Sequence, residues 1–375
     1  MEITFLPSDY LITVCRKIED ENFIESDFLL RAVRIRNTTE KSVKLIKYRF
    51  QLLSNGNLRK TISYTEEKVK EKAQELQLVV DQLLTNKQDK VQEIARKGNL
   101  QLFLGQEDFW SKDHFSNNEL TPNQETGFRL EHFRICDENP IDEIFFTVIY
   151  QQENEEKSTS IKIPLKGYET KNDYIFPLKG SWVIFGNWDD PHNHRTMNSQ
   201  EFAMDLIQLD NELMFDQIIE KPNEAFPFYG EDLLAIADGE VIDCVNTVPE
   251  NPGSLRMIPN EERRKIIEEL GFVPLASGNY IVLKHGQEEY SFYAHVQEGS
   301  LKVKKGDQVK QGQIIGKLGN SGNSTGPHLH FQLMDKPSIL TGRGLPCRFT
   351  NLKNMVGEPM DFIENNYQVV HSIKD

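Results

Sequence analysis

The sequence predicts a mainly β protein of two domains, and three observations carry that prediction. Apolar and polar residues alternate in places through Phe28-Leu29-Leu30-Arg31-Ala32-Val33-Arg34-Ile35-Arg36, with turn signals at Asn37-Thr38-Thr39 and Ser54-Asn55-Gly56-Asn57. The run Ile144-Phe145-Phe146-Thr147-Val148-Ile149-Tyr150 is continuous and rich in β-branched and aromatic residues. Beyond about residue 180, strand-like segments at 234–245, 279–285, 290–296 and 313–318 are separated by turns containing glycine. The expected fold is an N-terminal β-sandwich-like domain with a helical insertion, followed by an antiparallel β-barrel or sandwich-hybrid domain.

Each element has its own warrant. Strand runs at 11–53, 128–136 and 143–150 complete the first domain. Between them, Val69, Ala73, Leu76, Val80 and Leu83 recur at helical spacing behind a Ser63-x-x-Glu66 capping box, so residues 63–97 are expected to form one or two inserted helices with a core-facing stripe. Polar residues from Glu153 onward and the glycines at 167 and 180 place a boundary near 165–180, giving domains 1–165 and 166–375. Asn260 to Gly271 reads as a short helix lying over the second domain, as cleft wall or plain cover.

Composition excludes several classes. With 43 Lys and Arg against 58 Asp and Glu, the net charge of −15 opposes binding along a nucleic-acid backbone, which draws its affinity from cationic side chains. Cys15, Cys136, Cys244 and Cys347 lie too far apart for a zinc-binding pair or a dense disulfide framework, so reduced thiols are expected. The N-terminus lacks a basic, then apolar leader, and no run of about 18 apolar residues occurs. The chain as written is expected to be cytoplasmic, or to reach the cell wall or the exterior by another route.

Six of the nine histidines fall between residues 192 and 330, two of them in His328-Leu329-His330. Positions i and i+2 diverge on a helix but share one strand face at about 7 Å, so convergence of this pair requires a strand. Leu329, Phe331 and Leu333 supply the opposite, apolar face, leaving His328, His330 and Gln332 on the polar one. The same alternation sets Tyr293 and His295 against Phe292 and Ala294, and Ala203 and Asp205 against Phe202, Met204 and Leu206. Three strands thus offer metal-capable side chains, and a hydrolytic zinc needs three protein ligands with one open position.

The segments Tyr293-Ala294-His295, Val303 to Gly316 and Gly319-Asn320-Ser321-Gly322-Asn323-Ser324-Thr325-Gly326-Pro327-His328-Leu329-His330-Phe331 resemble the lysostaphin-type (LytM-like) zinc metalloendopeptidases over about residues 182–340. The resemblance implies an antiparallel β catalytic domain that hydrolyses peptide bonds, in peptidoglycan cross-bridges or stem peptides, with Zn2+ as cofactor and a peptide as partner. It carries over His330 as a zinc ligand and His295 and His328 as catalytic histidines that do not bind the metal. The remaining ligand pair in the family is usually H-x-x-x-D; here Asp205 follows His194 by a longer stretch, so His194 and Asp205 are expected, with His192 competing for the histidine position.

Rival motifs fare worse. Gly322-Asn323-Ser324-Thr325-Gly326 matches the G-x-S-x-G nucleophile elbow, but Pro327 and an alternating strand follow where a helix is required. The Lys-x-Gly-Asp-x-Val hairpin near 305 resembles a biotinyl or lipoyl carrier without the Met-Lys-Met or Asp-Lys-Ala tip. A non-catalytic binding or regulatory protein built on the same domain is the alternative function.

Overall fold

The computed structural model describes residues 1–18, 22–85, 89–208 and 220–373. The chain is mainly β and forms two compact units, residues 1–86 with 106–168, and residues 87–105 with 169–375. The crossing at 87–105 departs from the division read from sequence, in which the whole helical insertion stays with the first domain.

In the first unit, β1 (Glu2–Leu6), β2 (Leu11–Lys17), β3 (Ile24–Arg36), β4 (Val43–Ser54) and β5 (Asn57–Tyr64) precede α1 (Glu66–Leu83). A second helix, α2 (Lys90–Leu104), belongs to the other unit. The strands β6 (Glu119–Leu120), β7 (Glu125–Asp137), β8 (Glu143–Gln152) and β9 (Glu155–Lys166) complete the set. Their path β1-β3-β2-β9-β8-β4-β5, with β7 on β3 and β6 on β4, is antiparallel except for the β2–β9 pair. Alternation through β4 buries Leu45, Tyr48, Phe50 and Leu52. Phe50 stacks on Phe146 of β8 at 4.7 Å between ring centroids and meets Phe128 and Phe133 of β7 edge-on at 5.9 and 5.3 Å. Because β4 and β7 do not pair, these contacts run across the core of a sandwich.

The α1 stripe is buried at Val69, Ala73, Leu76 and Val80. Its start differs from the expected capping box: Ser63 is still in β5, and Thr65 occupies the N-cap without a side-chain hydrogen bond. The strand pairing of Ser63 with Arg49 holds that residue in the sheet and overrides the local cap signal.

The second unit continues with β10 (Gly180–Phe185), β11 (Met204–Ile207), β12 (Asp232–Leu234), β13 (Gly239–Val245), α3 (Asn260–Glu269), α4 (Phe272–Ser277), β14 (Asn279–Lys284), β15 (Tyr290–Val296), β16 (Gln308–Val309), β17 (Ile314–Lys317) and β18 (Leu329–Met334). Short strands β19 (Gly344–Leu345), β20 (Leu352–Lys353), β21 (Pro359–Met360) and β22 (Val369–Ser372) follow. The main sheet runs β16-β13-β14-β15-β18-β11-β10-β22-β20-β21, with β12 and β17 paired separately. The helix expected at 260–271 ends at Glu269, and Gly271, at φ +91°, separates it from α4. No helix among the described residues is long and apolar enough to cross a membrane.

Truncating Phe50 to Ala removes a ring that touches four other aromatic side chains, including Tyr64. Urea unfolding of this variant is expected to show a loss of about 3–5 kcal/mol. Leu78→Ala, at the 73% exposed surface of α1, is expected to stay within about 0.5 kcal/mol of the parent.

Candidate metal and hydrolytic site

Strand register builds the site. Across the middle of the sheet, Ala294 on β15 pairs with His330 on β18, and His330 pairs with Asp205 on β11. Register partners share a sheet face, so His330 and Asp205 meet side by side: His330 Nδ1 lies 2.9 Å from Asp205 Oδ1. His194, on a short 3-10 turn (His194–Thr196), approaches from a loop with Nε2 3.5 Å from Asp205 Oδ2. His328 Nε2 lies 3.5 Å from Asp205 Oδ1, and the His295 ring packs 4.6 Å from that of His328. All five side chains named from sequence are thereby gathered in one place. His192 is exposed and lies outside the cluster formed by His194, Asp205 and His330.

Simple alternation on β15 places His295 with Tyr293, on the face away from Phe292 and Ala294. Tyr293 instead faces the core, where its hydroxyl accepts from Ile236 N–H and donates to the Leu234 carbonyl, each at 3.1 Å. The register between β14 and β15 shifts so that Ala294 and His295 together oppose Tyr280, a β-bulge. His295 sits at φ +59°, a left-handed conformation that costs energy in a non-glycine residue and clusters at functional sites. The bulge is what brings its imidazole beside His328 and His330.

Hydrogen bonds set the imidazole tautomers. A carbonyl only accepts, so a ring nitrogen close to one carries the proton. His194 Nδ1–H donates to the Gly186 carbonyl at 2.7 Å, His295 Nδ1–H to Ser321 at 2.7 Å and His328 Nδ1–H to Gly326 at 2.8 Å. Each therefore offers a bare Nε2. His330 is turned the other way: its Nε2–H donates to Gln332 Oε1 at 2.9 Å, while Gln332 Nε2 donates to the Ser199 carbonyl at 2.9 Å, which orients the amide. Nδ1 of His330 faces Asp205 Oδ1 at 2.9 Å, where a proton between them makes the hydrogen bond and a bound metal would replace that proton.

The electrostatics agree with this assignment. Burial, followed by the neighbouring imidazoles, lowers His194 to about 4 in spite of the attraction of Asp205, so the ring is neutral at pH 7. His295 is pushed well below the usual histidine value by burial and then by His328 and His330. Burial alone would raise Asp205, but the histidines around it outweigh that and hold it ionised far below the usual carboxylate range.

Two imidazole nitrogens, Nε2 of His194 and Nδ1 of His330, and one carboxylate form a donor set suited to zinc. The ligating atoms of His194, Asp205 and His330 all lie within 4.8 Å of one another. Ligands about 2.0–2.2 Å from a tetrahedral ion stand roughly 3.3–3.6 Å apart, so the observed cluster needs only small adjustments to hold one. Ser324 does not behave as a nucleophile: it is 2% exposed, and its hydroxyl donates to the Gly326 carbonyl at 2.8 Å inside a turn.

Buried amides support the loop that pins His295. Asn251 Nδ2 donates to the carbonyls of Gly322 and Ser324 at 3.0 and 3.2 Å. Asn279 N–H donates to Ser321 Oγ at 2.9 Å, and Ser321 Oγ donates to the Val296 carbonyl at 2.8 Å. Neither these amides nor the bond from Gln332 stood out as functional in the sequence. The available signal for Gln332 was its place two residues after His330, on the same strand face.

Residues 265–340 match Peptidase family M23. Peptidoglycan DD-endopeptidase ShyA of Vibrio cholerae serotype O1 is 47% identical over 76 residues, 20% of this chain and 16% of that protein. Glycyl-glycine endopeptidase ALE-1 of Staphylococcus capitis is 37% identical over 100 residues, 26% of this chain and 24% of that protein. The chain thus spans less than a quarter of the length of these relatives. Among solved structures, the catalytic domain of lysostaphin from Staphylococcus simulans aligns over 47% of this chain and 88% of its own, at 23% identity and a TM-score of 0.24.

Close backbone packing under Ser321 is the site's mechanical foundation. Gly322 sits at φ +77°, and a Cβ there would lie 2.1 Å from the amide nitrogen of Gly278. Gly322→Ala is expected to lower stability by at least about 2 kcal/mol in thermal unfolding, because both the conformation and the contact exclude a side chain.

Proposed function

Taking as premise that residues 265–340 form a peptidase domain of the M23 kind, we propose that the chain is a zinc metalloendopeptidase acting on peptidoglycan cross-bridges or stem peptides. The observation that carries the reading is the cluster of His194, Asp205 and His330, with His295 and His328 beside it. The substrate class follows from the names of the relatives, a peptidoglycan DD-endopeptidase and a glycyl-glycine endopeptidase.

In this reading His194 Nε2, a carboxylate oxygen of Asp205 and His330 Nδ1 hold the metal. Zinc, when bound, supplies a Lewis acid and makes water nucleophilic near neutral pH. The chain's own residues do the rest. The Gly186 carbonyl and Gln332 orient the two ligand imidazoles, as outer hydrogen bonds do at metal sites. His295 and His328 each present a bare Nε2 within the same cluster. One accepts the proton of the attacking water at Nε2, and that proton, held there or passed through solvent to Nε2 of the other, is then donated to the developing oxyanion or to the leaving amine. The complete donor set favours this enzyme over a non-catalytic protein on the same domain, since loss of any one of the three ligands would leave metal binding incomplete.

The test is digestion of purified peptidoglycan and of pentaglycine peptides, with products identified by mass spectrometry and zinc measured in each preparation. His330→Ala is expected to lose both zinc and activity. His295→Ala and His328→Ala are expected to keep zinc while kcat falls by at least about 10²-fold, the scale of a lost acid or base. His192→Ala is expected to match the parent in both. Loss of zinc from His295→Ala or His328→Ala, or full activity in both, overturns the assignment.

A further inference from the structure

Helix α2 is tied into the second unit at both ends. At its start, the Asp89 carboxylate accepts from Val91 N–H and Gln92 N–H at 2.8 and 3.4 Å, and pairs with Arg264 of α3 at 2.9 Å. In its middle, Gly98 leaves room for the Phe272 ring of α4; a Cβ there would lie 2.2 Å from that ring. At its end, the Leu102 carbonyl accepts from Asn198 N–H at 2.8 Å, and Gly105 closes the helix at φ +75°. Asn198 in turn donates its side-chain amide to the Gly342 carbonyl at 2.7 Å. The chain leaves for the first unit at residue 106 and returns only at 169, yet this helix remains part of the second.

The position of Leu102 connects the helix to the chemistry. Register pairs Phe292 with Gln332 and Ala294 with His330, so all four share the face that carries the site. Leu102 packs into the apolar cluster on that face with Tyr280, Val282, Phe292, Ala294 and Met334. It also lines a cavity of about 230 Å³ together with His194, Met197, Ala276, His295 and His330. The cavity has the imidazoles of His194, His295 and His330 on one side and the side chains of Leu102, Met197 and Ala276 on another, with Asn193, Gln200 and Asn323 completing it. Its volume, below the roughly 300–1,000 Å³ of pockets that enclose drug-sized ligands, suits a single residue of a longer chain.

We propose that α2 is a wall of the substrate cleft and that Leu102 lines the subsite for a residue flanking the scissile bond, its bulk setting how large that residue's side chain can be. The proposal rests on the peptidase reading. A peptide bond placed among His194, His295 and His330 brings its neighbouring side chain against Leu102, Met197 and Ala276. A larger side chain there competes with Leu102 for the same space. Specificity of this enzyme is then set partly by a helix encoded before the rest of its catalytic unit.

The experiment uses the zinc-loaded full-length protein and a peptide it cleaves, resynthesised with Gly, Ala or Leu on either side of the scissile bond. Leu102→Ala is expected to raise kcat/KM for the Leu peptide relative to the Ala peptide by about 10-fold or more, the scale of methylene-sized changes in a pocket. Leu102→Val, a smaller excision that keeps the helix packed, is expected to shift the ratio less and in the same direction. Lys97→Ala, on the exposed side of α2, is expected to leave it unchanged, with zinc content and Tm recorded for every variant. If both Leu102 variants lower kcat/KM for all peptides in equal proportion, or leave the ratio at the parental value, the residue is only structural and the proposal falls. If the parent cleaves no peptide at all, the peptidase reading falls and takes the proposal with it.

Discussion

A single carboxylate organises the second unit. Asp205 is paired in register with His330 and receives the edges of His194 and His328, so one ionised oxygen pair sits among three imidazoles. Such an arrangement is costly to bury unless each group has a fixed partner. The carbonyls of Gly186 and Gly326 and the side chain of Gln332 supply those partners on the outer side of each ring. A metal between these groups would compensate the carboxylate's charge.

Positioning of the remaining histidine follows a different logic. His295 is brought to the site by a bulge and a left-handed backbone, a local strain that surrounding structure must outweigh. The compensation comes from the loop 319–326, whose backbone is held by Asn251, Asn279 and the buried Ser321 hydroxyl. Glu250 adds to it by accepting from Asn320 N–H at 2.9 Å, and burial raises its pKa despite that bond. Rigid polar networks of this sort are favourable only when nearly every member is satisfied. The turn-rich motif is therefore a support for the histidine cluster as much as a connection between strands.

The two units solve their packing problems differently. In the first, long strands bury alternating aromatic residues across a sandwich, and α1 adds an aliphatic stripe. In the second, one face of the sheet carries Tyr293, Phe331 and Leu333 in the core, while the opposite face is divided between an apolar cluster and the histidine site. Helix α2 covers part of that divided face, with Leu102 at the join. A structural element thus borders the place where chemistry is proposed.

Much of this was legible in the chain itself. Alternation in β4 and β18 and the helical spacing of Val69, Ala73, Leu76 and Val80 are local patterns, and local periodicity directly states which face is buried. The residue types and spacing of His328 and His330 likewise named a strand face, on which both imidazoles meet Asp205. Tertiary structure decided what depends on distant partners. The choice between His192 and His194 turned on which loop residue reaches Asp205, and the orientation of His295 turned on a bulge opposite Tyr280. Ser63 was claimed by pairing with Arg49, and α2 joined the second unit through Asp89, Gly98 and Leu102. Periodicity carries no information about such contacts, because register shifts and docking are set by the energies of groups far apart in sequence.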